Sequence, residues 1–482
     1  MRILLASSEV QPYSKSGGLA DMVGGLAKAL AKAGHQVGVV TPLYRGIREK
    51  FPALRLLDWR FDMLLGADRV QGGVSVLEPA DNLTIYFVEQ PQFFDRRNLY
   101  QENGVDYADN AARFIFFSKC VANLARYLPW RPEIVHVHDW QVGVVPMLML
   151  DQHRRDGWST APPMCLTIHN LAYQGNFPRA TYALTNLPDD YFHPGGAEFY
   201  GGLNCLKAGI VYADALTTVS PRYAREITTE LFGCGLDGML RARQSALTGI
   251  LNGVDDEEWR TTGNPFLPHA YSVRNLRGKA ADKLELQKEL GLPMSADVPL
   301  FGTVTRLVGQ KGVHLLLGAL EEMLAADMQF VLLGSGDAPF ENAFQELARR
   351  HPRKVAVKIG FNLGLSHRIE AGCDFYLMPS VFEPCGLNQM YSLRYGTVPI
   401  VRVTGGLDDS VIDPAEDEAR ADGIKFAEPS VRALAKAIRK ALVLFSDRPL
   451  LQHFRRNGMQ EDFSVERMAD EYARVYRRLR AR

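Results

Sequence analysis

The sequence predicts an α/β protein made of two doubly wound domains, each with a parallel sheet. Apolar runs of strand length alternate with helical patterns along the chain, which is typical of a parallel sheet covered by helices. The chain has 482 residues, whereas one hydrophobic core stops growing at about 250 to 300 residues. The pattern Gly-Gly-Leu-x-Asp occurs at residues 17–21 and again at 405–409. Together these observations indicate two domains of one class.

We expect the first domain to comprise residues 1–246. Its predicted strands are residues 3–7, 35–41, 83–88, 134–138, 164–168 and 215–219. Its predicted helices include residues 111–127, 142–153 and 221–231. Ligands of such sheets bind beyond the carboxyl ends of the strands, so the loops after these strands are the first candidates for a functional site.

We expect the second domain to comprise residues 247–463. Its predicted strands are residues 300–305, 330–333, 355–359, 375–378 and 398–403, and its predicted helices are residues 279–290, 313–325, 340–349 and 434–445. In the last segment, 464–482, apolar residues recur at helical spacing over residues 465–479. This spacing predicts a helix that packs one face against the rest of the protein.

Composition and charge exclude several function classes. Lys and Arg total 55 and so do Asp and Glu, so no global field favours nucleic acid or an anionic membrane as a partner. We expect a cytoplasmic protein, because the first apolar run is too short for a signal sequence and no stretch approaches a membrane-spanning length. The six cysteines include no C-x-x-C pair, so we expect reduced thiols and no zinc site.

Two glycine-rich loops follow predicted strands. The first contains Lys15, Gly17 and Gly18, and the second contains Thr404 and Gly405. Adjacent glycines remove Cβ atoms where backbone amides approach a partner closely. We predict that both loops face one cleft between the domains. The alternative is that each glycine pair only makes a tight turn from strand to helix.

Three charged residues at strand ends predict a site for an anionic substrate. Glu383 follows the strand 375–378 and precedes a Pro-x-Gly turn and a helix. There it is either a carboxylate that contacts a sugar or an ordinary capping acid. Arg306 and Lys311 flank the loop after strand 300–305, where they form a compact clamp for a diphosphate or are simply solvated.

Two common nucleotide motifs are incomplete. The loop 306–312 does not fit the Walker pattern, which disfavours a P-loop. The sequence 334–337 begins like a dinucleotide fingerprint, but Pro339 stands where the last glycine is needed. An NAD-dependent dehydrogenase is therefore a distant alternative.

Polar residues also end two strands of the first domain. His138 and Asp139 precede Trp140, and His169 and Asn170 follow the next strand. Such strand ends beside a glycine loop favour a site for sugar hydroxyls over purely structural histidines. Metal binding by His136, His138, Asp139 and His169 is disfavoured, because neighbouring residues of a strand point to opposite faces.

An ordered set of motifs spans nearly the whole chain and closely resembles bacterial glycogen synthases and plant starch synthases. The matching segments are residues 15–21, 138–140, 169–175, 252–255, Arg306 with Lys311, residues 383–387 and residues 404–407. The resemblance implies a GT-B glycosyltransferase: two Rossmann-like domains facing a deep cleft, with the C-terminal helix crossing back to the N-terminal domain. It implies that the N-terminal domain binds the acceptor and the C-terminal domain the nucleotide sugar.

The implied activity is retaining transfer of glucose from ADP-glucose to the non-reducing end of an α-1,4-glucan such as glycogen, with release of ADP and no metal or other cofactor. By matched motif, Lys15 and the amides of Gly17 and Gly18 contact the nucleotide sugar, and Arg306 and Lys311 hold the diphosphate. Glu383 binds the transferred glucose and is essential. The other implied site residues are His169, Asp139, Asn252, Asp21, Phe361, Cys385, Gly386, Leu387, Asn388, Thr404 and Gly405.

Three positions depart from the usual family pattern. Asn388 replaces a Thr, which predicts a weaker contact with phosphate. Phe361 replaces the Tyr expected to stack on adenine, and Tyr391 stands where related transferases have a second Glu. The alternatives that remain open are a UDP-sugar-dependent transferase of the same architecture and a non-catalytic glucan-binding protein.

Overall fold

The computed structural model describes residues 1–481 and divides into two compact units. The first contains Met1–Val219, Ala224–Gly253 and the C-terminal segment from Val465, and the second contains Ser220–Tyr223 and Val254–Ser464. Each unit has its own central sheet.

The first unit is built on a nine-stranded sheet in the order β14-β13-β9-β8-β1-β2-β5-β4-β3. Two small accessory sheets, β6 with β7 and β10-β12-β11, belong to the same unit. The strands of this unit are β1 (Arg2–Ala6), β2 (Gln36–Pro42), β3 (Arg55–Leu65), β4 (Asp68–Ala80), β5 (Leu83–Glu89), β6 (Gln101–Glu102), β7 (Val105–Asp106), β8 (Ile134–His138), β9 (Met164–Ile168), β10 (Asn176–Phe177), β11 (Glu198–Phe199), β12 (Gly202–Asn204), β13 (Ala215–Thr218) and β14 (Leu247–Gly249).

The strands from β14 to β5 run parallel. Helices cover this sheet because the strands from β13 to β5 are mostly buried on both faces. The helices are α1 (Gly18–Lys32), α2 (Ile47–Lys50), α3 (Pro91–Phe94), α4 (Asn110–Tyr127), α5 (Val145–Asp156), α6 (Cys205–Tyr212), α7 (Pro221–Glu226) and α8 (Asp237–Ala242). Residues 221–223 of α7 cluster with the second unit. Short 3-10 helices lie at Trp140–Val142, Arg179–Thr185, Asp189–Tyr191 and Gln244–Ala246. Helix α4 contributes Phe114, Phe116 and Phe117 to the core.

The second unit has a six-stranded, all-parallel sheet in the order β17-β16-β15-β18-β19-β20. Its strands are β15 (Leu300–Leu307), β16 (Gln329–Gly336), β17 (Val355–Ile359), β18 (Phe375–Met378), β19 (Val398–Arg402) and β20 (Ile424–Phe426). Its helices are α9 (Arg277–Glu289), α10 (Val313–Met323), α11 (Ala338–Arg350), α12 (Leu363–Gly372), α13 (Asn388–Arg394), α14 (Gly405–Ser410), α15 (Val431–Ser446) and α16 (Arg448–Gln460), with a 3-10 turn at Gly309–Lys311.

The C-terminal helix α17 (Val465–Arg480) clusters with the first unit. Its Tyr472 and Tyr476 are fully buried, and the Tyr476 hydroxyl lies 2.7 Å from His136 Nδ1 on β8. Val465 approaches Gly25 of α1 so closely that a Cβ at Gly25 would lie 2.9 Å from its side chain. Apolar and aromatic residues at helical spacing therefore supply the packing face of α17.

The boundary between the units differs from the expected join after residue 246. Residues 247–253 cluster with the first unit because β14 pairs in parallel with β13, with Leu216 opposite Leu247. The predicted helix 221–231 is also shorter, since α7 ends at Glu226. The Thr228 and Thr229 hydroxyls donate to the carbonyls of Arg225 and Glu226 there, which competes with helix continuation.

The sequence analysis assigned no strand to residues 55–80, where β3 and β4 form a long antiparallel hairpin at the sheet edge. Among the described residues, no helix is both long enough and apolar enough to cross a membrane.

Candidate active site

In the first unit, three adjacent strands bring the predicted site residues to one edge of the sheet. Strands β1, β8 and β9 are neighbours and run parallel. The loops after them contain Lys15, Asp139 and His169 respectively. The carboxyl ends of these strands therefore form the part of this unit where a ligand is expected.

The loop after β1 is organised by Glu9, which the sequence analysis did not single out. The Glu9 side chain is buried and accepts hydrogen bonds from the Ser16 hydroxyl at 2.6 Å, the Ser16 amide, the Gly17 amide at 3.3 Å and the Tyr100 hydroxyl at 2.7 Å. Glu9 therefore fixes the loop and is a partner of the Gly17 amide, and the contact of that amide with the nucleotide sugar stays a prediction.

Lys15 and Asp21 form an ion pair beside this loop, with 2.7 Å between Nζ and Oδ1. The side chain of Lys15 is 43% exposed and that of Asp21 is 19% exposed. Burial raises the pKa of Asp21 above its ordinary value, and the Lys15 ammonium opposes that shift. Gly18 begins α1, and a Cβ added at Gly17 would meet nothing within 4 Å. Lys15 therefore presents a half-exposed ammonium beside open space.

Asp139 and His169 are brought together directly. Asp139 adopts a left-handed backbone conformation with φ of 62°, which is strained for a residue with a side chain. Its carboxylate accepts a 2.7 Å hydrogen bond from the His169 amide. Burial raises the pKa of Asp139 to about 7, opposed by hydrogen bonds from the amides of His169 and Asn170 and reinforced by Glu9. Asp139 thus holds the backbone that presents the His169 ring.

A buried row of histidines lies behind this pair. His138 Nδ1 is 3.1 Å from His169 Nε2, and His136 is linked to Thr167 and to Tyr476 of α17. Burial lowers the pKa of His136 and His169 to about 3 and that of His138 well below its usual range. All three rings are therefore neutral at physiological pH, and each serves as a hydrogen-bonding group rather than a cation.

The argument that disfavoured a metal site needs a correction. His136 and His138 are two residues apart and share a strand face, with ring centroids 4.0 Å apart. Within residues 1–481, no group of three or more His, Cys, Asp or Glu side chains has the arrangement of a metal site.

Asn252 lies near the end of the segment Ala224–Gly253 of the first unit, three residues after β14. It is buried, and its Oδ1 has no hydrogen-bond partner among the residues that the structure describes. An unpaired buried amide oxygen is costly, so Asn252 stays a candidate for contact with a sugar hydroxyl.

In the second unit, Glu383 and Lys311 form the centre of the candidate site. Lys311 Nζ lies 2.6 Å from Glu383 Oε2, and the Ser380 hydroxyl donates to the same oxygen at 3.0 Å. Glu383 is only 6% exposed. A buried carboxylate with one cation and one hydroxyl as partners is poised to face a polar or cationic group of a ligand, which argues against a simple capping role.

Backbone contacts between two loops position this ion pair. The Val381 amide donates to the Gln310 carbonyl at 2.8 Å. Gly312 has a φ of 66°, and a Cβ there would lie 2.0 Å from the Pro379 carbonyl oxygen. Only glycine permits this approach, so the loop after β15 packs on the loop after β18 and holds Lys311 against Glu383.

Arg306 lies at the end of β15 and is exposed. Its guanidinium forms no ion pair with any residue of the described chain. Unlike Lys311, it is therefore available to an anionic ligand without first breaking an internal contact.

The segment after Glu383 leads into α13. Gly386 has a φ of 73°, and the side-chain amide of Gln389 donates to the carbonyls of Cys385 and Gly386. Over the described chain, the amides of Gly386, Leu387 and Asn388 donate to no protein acceptor. Three free amides in sequence can bind phosphate oxygens, which agrees with the predicted phosphate cradle.

The side chain of Asn388 has internal partners. Its side-chain amide donates inward, to the Val304 carbonyl at 3.2 Å, Glu370 Oε1 at 3.0 Å and the Tyr376 hydroxyl at 2.8 Å. The residue that replaces Thr therefore belongs to a buried network, and its weaker contact with phosphate stays a prediction.

Thr404 and Gly405 are buried and lie against the Glu383 loop. Gly405 has a φ of 42°, and a Cβ there would lie 1.9 Å from the Glu383 carbonyl oxygen. The adjacent Gly406 amide donates toward the same carbonyl at 3.3 Å. These glycines therefore pack directly against the loop of Glu383.

Phe361 and Tyr391 have contrasting surroundings. Phe361 follows β17 and is 76% exposed, so its ring face is available for stacking. Tyr391 stacks on Trp259, with ring centroids 3.5 Å apart. The residue in place of a second Glu is thus a packing residue of the second unit.

Comparison with known proteins identifies the family. Residues 2–242 match the family model described as starch synthase catalytic domain, and residues 285–461 match that of glycosyl transferases group 1. The chain is 48% identical over 483 residues to a glycogen synthase from Anaeromyxobacter sp. (strain Fw109-5), covering 100% of both chains. The chain belongs to the glycogen synthase family. It is therefore a glycosyltransferase of the GT-B class, as the motifs predicted.

Two further similarities agree with this membership of the glycogen synthase family. A glycogen synthase from Opitutus terrae (strain DSM 11246 / JCM 15787 / PB90-1) is 44% identical over 478 residues, covering 99% of each chain. The catalytic domain of starch synthase IV from Arabidopsis thaliana, solved bound to ADP and acarbose, superposes with a TM-score of 0.90 at 32% identity, covering 100% of this chain and 99% of that one.

Some site residues of this glycogen synthase family member escaped the sequence analysis. Ser380 and Glu370 contact Glu383 and Asn388 respectively, and Arg222 pairs with Asp408 at 2.8 Å beside the second glycine pair. Ser380 precedes the Glu383 motif by three residues, and that proximity was an available signal. Glu370 and Arg222 are distant in sequence from their partners, so no local pattern could reveal them.

Proposed function

We propose that this chain transfers glucose from ADP-glucose, with retention of configuration, to the non-reducing 4-hydroxyl of an α-1,4-glucan and releases ADP. Support comes from the glycogen synthases that it resembles over its full length and from the Arabidopsis starch synthase solved with ADP and acarbose. The observation that carries the proposal is the buried Glu383 carboxylate, held 2.6 Å from Lys311 beside the three free amides of residues 386–388.

The proposed role of this cluster is to stabilise the leaving diphosphate. Lys311 offers a point charge, Arg306 offers an exposed fork of N–H donors, and the amides of residues 386–388 are donors without a protein acceptor in the described chain. A preorganised set of donors lowers the barrier because it is oriented before negative charge develops on the departing oxygen. In the first unit, Lys15, Asp139, His169 and Asn252 are the proposed contacts with the sugar.

The transfer step breaks the bond between the glucose C1 and the diphosphate oxygen. The acceptor 4-hydroxyl forms a new bond to C1 on the same face, and its proton passes to the departing phosphate oxygen. Glu383, which pairs with Lys311, balances positive charge that develops at C1. The proposal therefore needs no carboxylate pair, in agreement with the packing role of Tyr391.

We also propose that protein cations, rather than a divalent metal, neutralise the diphosphate. Arg306 and Lys311 supply two positive charges at the carboxyl end of β15. The expected result is full transferase activity after dialysis against a chelator. A loss of activity that Mg²⁺ or Mn²⁺ restores would contradict the proposal.

A donor comparison tests the function. Purified protein is incubated with glycogen and either ADP-glucose or UDP-glucose, and released nucleoside diphosphate and chain elongation are both measured. We expect elongation with ADP-glucose and at least about tenfold lower kcat/KM with UDP-glucose, a difference of about 1.4 kcal/mol. Preference for UDP-glucose would identify a UDP-sugar-dependent transferase. Glucan binding without transfer from either donor would identify a binding protein.

A glucan acceptor and a nucleotide-sugar donor are the proposed partners. The cytoplasmic location expected from the sequence stays a prediction, which fractionation of the source cells would test.

A further inference from the structure

The second unit contains a buried carboxyl group that the proposed mechanism does not use. Glu370, on α12, is fully buried. Its Oε1 accepts a hydrogen bond from the side-chain amide of Asn388 at 3.0 Å, and its Oε2 is hydrogen-bonded to the Ser392 hydroxyl. Both partners belong to α13, the helix that follows the free amides of residues 386–388. One carboxyl group therefore holds the first turn and the second turn of that helix.

The same network reaches the strand that leads to Arg306 and Lys311. The side-chain amide of Asn388 also donates to the Tyr376 hydroxyl at 2.8 Å. Tyr376 in turn bonds both backbone groups of Val304 on β15, with 2.7 Å to the amide and 2.9 Å to the carbonyl. The three segments α12, α13 and β15 are thus joined below the loops that carry the proposed diphosphate ligands.

We infer that Glu370 is a positioning residue of the diphosphate site, which as a neutral carboxylic acid fixes the start of α13 against β15. The inference rests on the proposed function, because it assigns the diphosphate to this site. Glu370 touches no substrate in this account. It acts through Asn388. The replacement of Thr by Asn at that position supplies the side-chain amide that donates a hydrogen bond to Glu370.

Charge explains why the neutral form is required. Burial raises the pKa of Glu370 to about 8, opposed by hydrogen bonds from Ser392, Asn388 and Tyr376. The acid is therefore protonated at pH 7. Above pH 8 it ionises, and a buried negative charge then lies behind the amides that bind the anionic diphosphate. Such a charge repels the ligand and weakens binding.

Among the other titratable groups that face Glu370, Lys279 from α9 favours its ionised form. Lys279 is itself buried, and desolvation lowers its pKa to about 7, so this stabilisation weakens as the pH rises. The pKa values of Cys373, Tyr376 and Tyr395 are raised by burial, so these groups stay protonated. Ionisation of Glu370 thus leaves an unbalanced charge in this network.

The test compares wild type, Glu370→Gln and Glu370→Leu from pH 6.5 to 9.5, measuring KM for ADP-glucose, kcat and the Kd of ADP by calorimetry. We expect the wild-type KM and Kd to rise about threefold to tenfold above pH 8, where each tenfold corresponds to about 1.4 kcal/mol. Glu370→Gln keeps the shape and the acceptor without titrating. It is expected to bind like wild type at pH 7 and to lack the alkaline rise.

Asp422→Asn is the matched control. Asp422 is another fully buried carboxyl of the second unit, with its pKa raised to about 7 by burial, and it accepts from the Ile412 amide. This variant is expected to keep the wild-type alkaline rise. Glu370→Leu is expected to raise KM for ADP-glucose about tenfold at pH 7. Because Glu370→Gln keeps the hydrogen-bond acceptor, a normal KM in that variant shows that the Leu variant loses the positioning of α13 rather than the burial of a side chain.

Several outcomes decide the inference. An alkaline rise of equal size in Glu370→Gln would overturn it, even if the Leu variant fails to fold. A folded Leu variant with an unchanged KM would also overturn it. If wild type binds ADP with the expected pH dependence but transfers no glucose, the proposed function fails, while the role of Glu370 in holding the diphosphate site stands.

Discussion

The two Gly-Gly-Leu-x-Asp segments share their letters but not their structural roles. Gly17 is extended, with φ of −161°, and a Cβ added there meets nothing within 4 Å. Gly405 is left-handed, and a Cβ there would lie 1.9 Å from the Glu383 carbonyl. The first glycine pair borders open space, and the second is packed beneath a site loop. The shared letters therefore fix neither one backbone conformation nor one structural role, and the surrounding residues decide both.

One aspartate near the end of each segment makes the same distinction. Asp21 forms a single ion pair with the half-exposed Lys15. Asp408, near the end of the second segment, pairs with Arg222 at 2.8 Å and with Lys425 at 3.0 Å. Lys425 is only 6% exposed. One acidic group thus orients a cation toward solvent, whereas the other joins parts of the second unit into a rigid support.

Replacing Gly405 and Gly17 by alanine, one at a time, should give the largest difference between the two glycine pairs. In Gly405→Ala, the new Cβ must displace the Glu383 loop, and the left-handed conformation adds about 1 to 2 kcal/mol. We expect a total loss of stability of about 2 to 4 kcal/mol and at least about a 100-fold fall in kcat. Thermal unfolding and initial rates measure the two effects.

Gly17→Ala is the matched variant. Its thermal midpoint should equal that of wild type because the extended backbone accepts a side chain and the space is open. Any rise in KM for ADP-glucose at unchanged stability would show that a ligand approaches Gly17. Equal destabilisation by both substitutions would contradict the different roles assigned to the two glycine pairs.

The contrast between the glycine pairs also shows what the sequence could predict. The alternation of strands and helices and the positions of Lys15, Glu383 and Lys311 at strand ends were all predictable, because each depends on local periodicity and spacing. The environment of Gly405 was not, since it depends on the Glu383 carbonyl, which lies 22 residues earlier in the chain.

The inward direction of Asn388 was unpredictable for a related reason. Its partners Val304 and Glu370 come from two other elements, and no spacing within residues 383–388 encodes them. Glu9 was overlooked because a buried acid next to a strand resembles any polar loop residue until its four donors are known.

Removing the cation that pairs with Glu383 in the second unit should have the next largest effect. Lys311→Ala leaves the Glu383 carboxylate without its ion-pair partner and removes a donor to the leaving diphosphate. We expect a loss of about 3 kcal/mol in transition-state stabilisation, roughly 100-fold in kcat. Arg306→Ala should lose a similar factor with little change in stability, because Arg306 is exposed.

Lys440→Ala, at an exposed position on α15, is the control for a lost surface charge and should behave as wild type. Near-normal turnover in both Lys311→Ala and Arg306→Ala would remove the basis for a diphosphate clamp.

Removing the cation Lys15, which lies beside the open space at Gly17, should have a smaller effect on activity. Lys15→Met breaks a half-exposed ion pair, and such pairs contribute about 0 to 1 kcal/mol to stability. The thermal midpoint should therefore stay within experimental error, while KM for ADP-glucose rises about tenfold, or about 1.4 kcal/mol. Lys32→Met, which breaks another exposed pair of the first unit, with Glu466, should leave KM unchanged. A large fall in stability for Lys15→Met would place Lys15 in the support of the fold.

The smallest effect is expected at Phe361, which differs from the packed residues of the second unit by its exposure of 76%. If its ring stacks on the adenine of the donor, Phe361→Ala should raise KM about fivefold, or about 1 kcal/mol, at unchanged stability. Phe361→Tyr keeps the ring face and should change KM less than about twofold. Leu363→Ala, also exposed but without a ring, is the control. Equal KM values for Phe361→Ala and Leu363→Ala would show that an exposed aromatic ring at the end of β17 contributes nothing to nucleotide binding.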